Sequence, residues 1–297
     1  RDPGGKEHTA KQSRIFVPSS VFDNPALLGN DPDYVRRLAS MPEAERNALL
    51  YGDWDTFSGQ VFTEWRNDRA HYEDRRWTHV IKPFRVPESW RIWRSFDWGY
   101  ARPFSVGWYA VDHERRMYRI RELYGCTGAP NVGVQWEPAK VAREIRRMEE
   151  EDPNLHGKKI FGVADPAIWQ SDGHESIGAL MERERVYFEK GDHSRLPGKM
   201  QVHHRLSFDG DGVPMLYVFS TCKHFIRTVP NLVYDETDVE DIDTDGEDHI
   251  YDELRYVCMK NPISPRPQPV AKPRPYSPLD TDEDVRGYDR YEFFRKF

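Results

Sequence analysis

The sequence predicts an α/β protein built on one mixed sheet, and three observations carry that prediction. Strand-like runs at 91–97, 104–112 and 116–124 follow one another with only short turns between them, the signature of an antiparallel meander. Helical and strand-like segments then alternate to residue 259, which places helices on both faces of a sheet containing parallel strands. Two of the strand-like runs close on an aspartate, Asp97 and Asp165, at the strand end where open α/β sheets bind ligands.

In chain order, residues 1–12 are polar and Gly-containing and predict a loop, and Ser13–Pro18 predicts a short strand. Asp31-Pro32 opens a helix through Met41, with proline in the first turn. Pro42–Tyr51 predicts a second helix closed by Gly52. Residues 53–88 carry Trp54, Phe57, Phe62 and Trp65 without periodicity and predict a connector lying on a neighbouring surface. The meander turns at Gly99–Pro103 and Asp112–Arg115, where glycine, proline and aspartate favour reversal. Glu137–Glu151 predicts a helix with Val141, Ile145 and Met148 on one stripe. There follow a strand at 159–165, a helix near 174–183, a strand at 186–189 and a helix at 197–207. Met215–Phe219 predicts a strand, Lys223–Val229 a helix or turn, and 247–259 the last helix. Seven prolines between Pro262 and Pro278 predict an extended tail from 261 to 297.

The 297 residues are sufficient for a sizeable core. Lys and Arg total 43 against 50 Asp and Glu, a net charge of −7, which argues against a nucleic-acid coat protein but not against an enzyme with a carboxylate site. Cys126, Cys222 and Cys258 are odd in number and widely spaced, which predicts free thiols rather than a disulfide framework or zinc site. No apolar run reaches membrane-spanning length. No phosphate-binding Gly-rich loop, Gly-x-Ser-x-Gly or His-Glu-x-x-His occurs, so ATP binding, serine hydrolysis and zinc proteolysis find no support.

Asp97 and Asp165 at strand ends and Asp252 on the last helix form a hard-oxygen donor set suited to Mg²⁺ or Mn²⁺. Each is open to a plainer reading: Asp97 and Asp165 as turn caps, Asp252 on a wet helix face. On that helix Ile250, Leu254 and Val257 predict the buried stripe, while His249, Asp252 and Tyr256 share another face. His249 reads as an accessory ligand or proton shuttle. The acidic run from Asp235 to Asp248 reads as a solvated loop. For DNA backbone contact, Arg195, Lys199 and Arg205, with Lys223 nearby, are the basic candidates.

Six segments, in one order, resemble the large terminase subunit of tailed bacteriophages, specifically its nuclease part. They are Leu49-Leu-Tyr-Gly-Asp-Trp-Asp55, Phe62-Thr-Glu-Trp65, Phe96-Asp-Trp-Gly-Tyr-Ala-Arg-Pro-Phe104, Tyr118-Arg-Ile-Arg-Glu-Leu-Tyr124, Ala164-Asp-Pro-Ala-Ile-Trp169 and Glu247-Asp-His-Ile-Tyr-Asp-Glu-Leu-Arg-Tyr256. The resemblance implies an RNase H-like fold and a two-ion Mg²⁺/Mn²⁺ endonuclease that cuts concatemeric double-stranded DNA in the host cytoplasm. Asp97, Asp165 and Asp252 would be its metal ligands, His249 their neighbour and Glu122 a lesser candidate. Portal protein and the small terminase subunit are the implied partners. Asp2-Pro-Gly-Gly5 resembles the far end of the family's ATPase, so residues 1–60 would be a remnant of that domain. Residues 61–88 would be the connector, 89–260 the nuclease domain and 261–297 the tail. Two alternatives stay open: another RNase H-like nuclease of resolvase or transposase type, or a catalytically silent docking module of the packaging motor.

Overall fold

The computed structural model describes residues 59–265 apart from 172, 236, 237 and 239, together with 21–23, 27, 29, 31 and 34–39. The strand expected at 13–18, the helix at 42–51 and the tail beyond 265 lie outside the described residues. Within the helix expected from Pro32, Tyr34–Ala39 is α-helical (α1).

The strands are β1 (Val80–Ile81), β2 (Arg91–Asp97), β3 (Ser105–Val111), β4 (Met117–Tyr124), β5 (Ile160–Ala164), β6 (Glu189–Lys190) and β7 (Leu216–Phe219). They form one seven-stranded sheet in the order β1-β7-β4-β3-β2-β5-β6. β3 runs antiparallel to both its neighbours, and every other pairing is parallel. Five further helices follow: α2 (Pro138–Glu151), α3 (Ile177–Arg183), α4 (Arg195–Leu206), α5 (Lys223–Thr228) and α6 (His249–Lys260). This is the mixed α/β sheet that the meander and the later alternation predict.

The pleat sorts β2 and β3 between two helices. Arg94 and Trp108 are register partners, so their side chains leave the same face. Both reach Glu149 of α2, at 2.6 Å from the guanidinium and 2.9 Å from the indole N–H. Proline opens α2, and Val141, Ala142, Ile145 and Met148 form its buried stripe. One residue further along, Ser95 and Gly107 are partners on the opposite face, which α6 covers. The Ser95 hydroxyl donates to the Glu253 carbonyl at 2.6 Å. A Cβ on Gly107 would lie 2.2 Å from Glu253 Oε1, so the strand is bare where the helix comes closest.

Packing adds to the reading in two places. The segment read as a connector is part of the core: Val61, Phe62, Trp65, Val80, Ile81 and Val86 are buried, and Val80–Ile81 pairs with β7 as an edge strand. Helix α6 has no broad wet face, since Tyr251, Glu253, Arg255 and Tyr256 are buried along with the apolar stripe. It is enclosed because β2, β3, β5, α4 and α5 all pack on it. The three cysteines are free, as their spacing implies. Among the described residues no helix is long and apolar enough to cross a membrane.

Candidate metal site

Adjacent parallel strands set the geometry. β2 and β5 pair from Ile92↔Ile160 to Phe96↔Ala164, so Asp97 and Asp165 follow side by side at the same sheet edge. The Asp165 amide donates to the Phe96 carbonyl at 3.2 Å, which extends the pairing by one step. The Asp165 carboxylate caps a short 3₁₀ turn by accepting the Ala167 N–H through Oδ1 at 2.9 Å. The turn-cap reading and a place at the site are therefore compatible, because the second oxygen is not used by the cap.

Asp252 lies one turn into α6. Arg255 holds its Oδ1 through Nε at 3.1 Å and Nη2 at 2.8 Å, and Nη1 of the same arginine donates to the His193 carbonyl at 2.8 Å. His249 sits between Asp97, whose Oδ2 is 3.3 Å from Nδ1, and Asn131, whose Oδ1 is 3.0 Å from Nε2.

Electrostatics link these groups. Asp97 is 6 % exposed, and its carboxyl is pushed well above the ordinary range by burial and by the charges of Asp252 and Asp165. Burial and then Asp252 raise Asp248 to about 7. Tyr256, one turn beyond Asp252, is pushed up by burial and by Asp252, Asp97 and Asp165. Burial holds His249 down, against the pull of Asp248 and Asp252. The structure thus brings Asp97, Asp165, Asp252 and His249 into one electrostatic neighbourhood.

Asp248 joins them from within the acidic run read as a solvated loop. It is 5 % exposed and precedes α6 directly. The i, i+4 spacing to Asp252 is the signal for it, since such residues share a helix face.

Two DNA-contact candidates are corrected. Lys199 and Arg205 are both fully buried. The Lys199 ammonium donates to the Glu240 carbonyl. Arg205 donates to the carbonyls of Arg115 at 3.2 Å and Met215 at 3.4 Å and to that of Asn261. They satisfy backbone acceptors and do not reach a phosphate. Arg195 is half-buried and paired with Asp241, and Lys223 is exposed. Glu122 is committed elsewhere: its carboxylate accepts the His224 and Phe225 N–H groups at 2.7 and 3.1 Å and so caps α5.

As a donor set, four carboxylates from three elements, with one imidazole beside them, suit a hard divalent cation. The guanidinium that partners them, Arg255, engages a single oxygen of Asp252. Among the described residues no three histidine, cysteine or carboxylate side chains already stand as a closed ion cage, so the fit rests on donor chemistry, burial and mutual repulsion.

The strand order β4-β3-β2-β5-β6, with β3 alone reversed, defines an RNase H-like α/β fold. Solved structures share it. The chain is 18% identical to the large terminase of a thermophilic bacteriophage, with a TM-score of 0.52 over 80% of this chain and 53% of that one. The complex of that terminase with ATP-gamma-S gives a TM-score of 0.54 at the same identity, over 80% and 54%. The P22 large terminase nuclease domain is 17% identical, with a TM-score of 0.48 over 68% of this chain and 92% of that domain. This chain therefore spans about half the length of the thermophilic phage's terminase. No family model and no curated protein matches it.

Proposed function

We propose that this chain is a divalent-metal-dependent DNA endonuclease of the genome-packaging terminase type. The observation that carries the reading is the gathering of Asp97, Asp165 and Asp252, from two adjacent strand ends and a crossing helix, closely enough that the latter two push the Asp97 carboxyl upward. Asp97 is buried and Asp165 and Asp252 half-buried, and like charges drawn together out of water are costly and cluster where a fold serves chemistry.

Asp97, Asp165 and Asp252 would hold two Mg²⁺ or Mn²⁺ ions, with Asp248 at the rim. Such ions would supply Lewis-acid stabilisation for displacement at a phosphodiester. The protein's own groups prepare the pocket. Arg255 fixes the rotamer of Asp252 by holding Oδ1, and Oδ2 takes no part in that pair. The Ala167 N–H fixes Asp165 in the same way. His249 stands beside Asp97, its Nδ1 3.3 Å from Oδ2, and adds one imidazole to the carboxylate set. The substrate would be double-stranded DNA, with portal protein and the small terminase subunit as docking partners.

Plasmid cleavage in Mn²⁺ tests this reading. Wild-type protein is expected to nick and linearise DNA, and EDTA to stop it. Asp97→Asn and Asp165→Asn should each lose more than about 100-fold, beyond the effect of removing outer-shell partners. Undiminished cutting by either variant would overturn the assignment. A folded wild type that binds portal protein yet neither binds Mn²⁺ nor cuts would favour a docking module.

A further inference from the structure

We propose that Asn131 is a positioning residue that locks the His249 ring with its hydrogen on Nε2, so that an unprotonated Nδ1 faces the carboxylates. Donors and acceptors around the two side chains decide the tautomer. The Asn131 amide nitrogen donates to two backbone carbonyls, Asp245 at 3.0 Å and Gly246 at 2.9 Å. That identifies the nitrogen end of the amide and leaves Oδ1 against His249 Nε2 at 3.0 Å. An amide oxygen only accepts, so Nε2 must donate. In a neutral imidazole the other nitrogen then carries a lone pair. That nitrogen, Nδ1, faces Asp97 Oδ2 at 3.3 Å and Asp248 Oδ1 at 3.9 Å, both carboxylate oxygens.

A lone pair turned toward carboxylates is a poor arrangement by itself. It becomes favourable when a cation or a transferable proton lies between them. The fold accepts backbone strain to maintain it: Asn131 has φ +56°, in the left-handed region that asparagine tolerates better than most residues. The loop carrying it is clamped to the loop that follows Asp97. Gly133 N–H donates to the Ala101 carbonyl at 2.8 Å, and a Cβ on Gly133 would fall 2.3 Å from the Arg102 carbonyl and 2.4 Å from that of Tyr100. Asn131 is thereby tied at once to the loop after β2, to the 245–246 loop and to the first residue of α6.

The functional consequence rests on the metal-site reading above. On that reading His249 Nδ1 would be the nitrogen donor offered to the ions and would favour Mn²⁺ over Mg²⁺ beyond what carboxylates alone would do.

The test is ¹⁵N NMR of histidine-labelled, metal-free protein above about pH 8, where an ordinary imidazole is neutral. His249 is identified by its disappearance in His249→Gln. The expected result is a pyrrole-type Nε2 and a pyridine-type Nδ1. In Asn131→Gly, which the positive φ accommodates, the hydrogen should move to Nδ1 and bond Asp97. A wild type protonated on Nδ1, or an Asn131→Gly spectrum unchanged from wild type, overturns the proposal. Mn²⁺ titration of the same samples should show about tenfold weaker binding in Asn131→Gly, as for other partners that orient a ligand. Absence of Mn²⁺ binding by wild type, with the tautomer as expected, would sink the metal-site reading and leave the lock standing.

Discussion

Two carboxylates on α6, Asp252 and Glu253, are neighbours in sequence and opposites in treatment. Glu253 is fully buried against Arg119, 2.6 Å away and equally buried, with Ser105 at 3.4 Å and the guanidinium reaching the Tyr109 hydroxyl as well. Asp252 shares its pocket with Asp97, Asp165 and Asp248, and the guanidinium beside it comes from Arg255 of the same helix. The first group is a matched ion pair that pins α6 to β3 and β4. The second is an excess of like charge, held together by the surrounding fold. Burial alone therefore does not mark a functional acid; burial among other acids with too few cations does.

The largest effect that would sharpen this comparison is on stability. Glu253→Ala strands Arg119 in the core and should cost about 3–5 kcal/mol in denaturant unfolding. Asp97→Asn removes a buried acid from the other group, whose charged form burial and its neighbours disfavour. It should unfold at an unchanged or higher denaturant midpoint while losing more than about 100-fold in Mn²⁺-dependent cleavage. Equal destabilisation by the two substitutions would break the distinction. Gly107→Ala pushes a methyl into Glu253 Oε1 and Arg119 Nη1 and should cost about 1–3 kcal/mol, with cleavage reduced only as far as the fold is.

The smallest expected effect is on pH dependence. Asp248 titrates at about 7 when folded, against an ordinary 3.8. A carboxyl whose folded pKa is the higher binds more protons in the native state between the two values, so unfolding free energy declines as pH rises through that interval. The contribution of Asp248, read as the difference in melting temperature between metal-free wild type and Asp248→Asn, should thus become less favourable to wild type between about pH 4 and about pH 7. Mn²⁺ should reverse that trend at the upper end. A difference between the two proteins that does not change across the interval would contradict the placement of Asp248 among unneutralised acids.

How legible these features are in the sequence follows from their physics. The meander and the ends at Asp97 and Asp165 are readable because strand-prone runs and turn residues are local signals. Val80–Ile81 is not, since a two-residue edge strand has no period and its partner β7 is remote in sequence. Lys199 and Arg205 look like a phosphate-binding surface until the fold is seen to bury both, Lys199 against Tyr234 and the Glu240 carbonyl and Arg205 against the carbonyls of Arg115, Met215 and Asn261. Asp248 hides in an acidic run with the composition of a solvated loop, and burial of one member is a tertiary event. Asn131 is the least visible, because a loop asparagine is common and its hold on His249 depends on two loops and a helix meeting. Glu253 and Arg119 leave a faint trace in Gly107, a glycine within a strand, which marks a close approach.

The central claim is that these acids are collected to hold divalent cations, and calorimetric titration of Mn²⁺ into the metal-free chain near neutral pH tests it most directly. Wild type should bind with release of protons, because Asp248, raised to about 7, is partly protonated there and a cation displaces that proton, and Asp97→Asn should bind at least about tenfold more weakly. Saturable binding that is identical in the two proteins, or no binding to folded wild type, would contradict it.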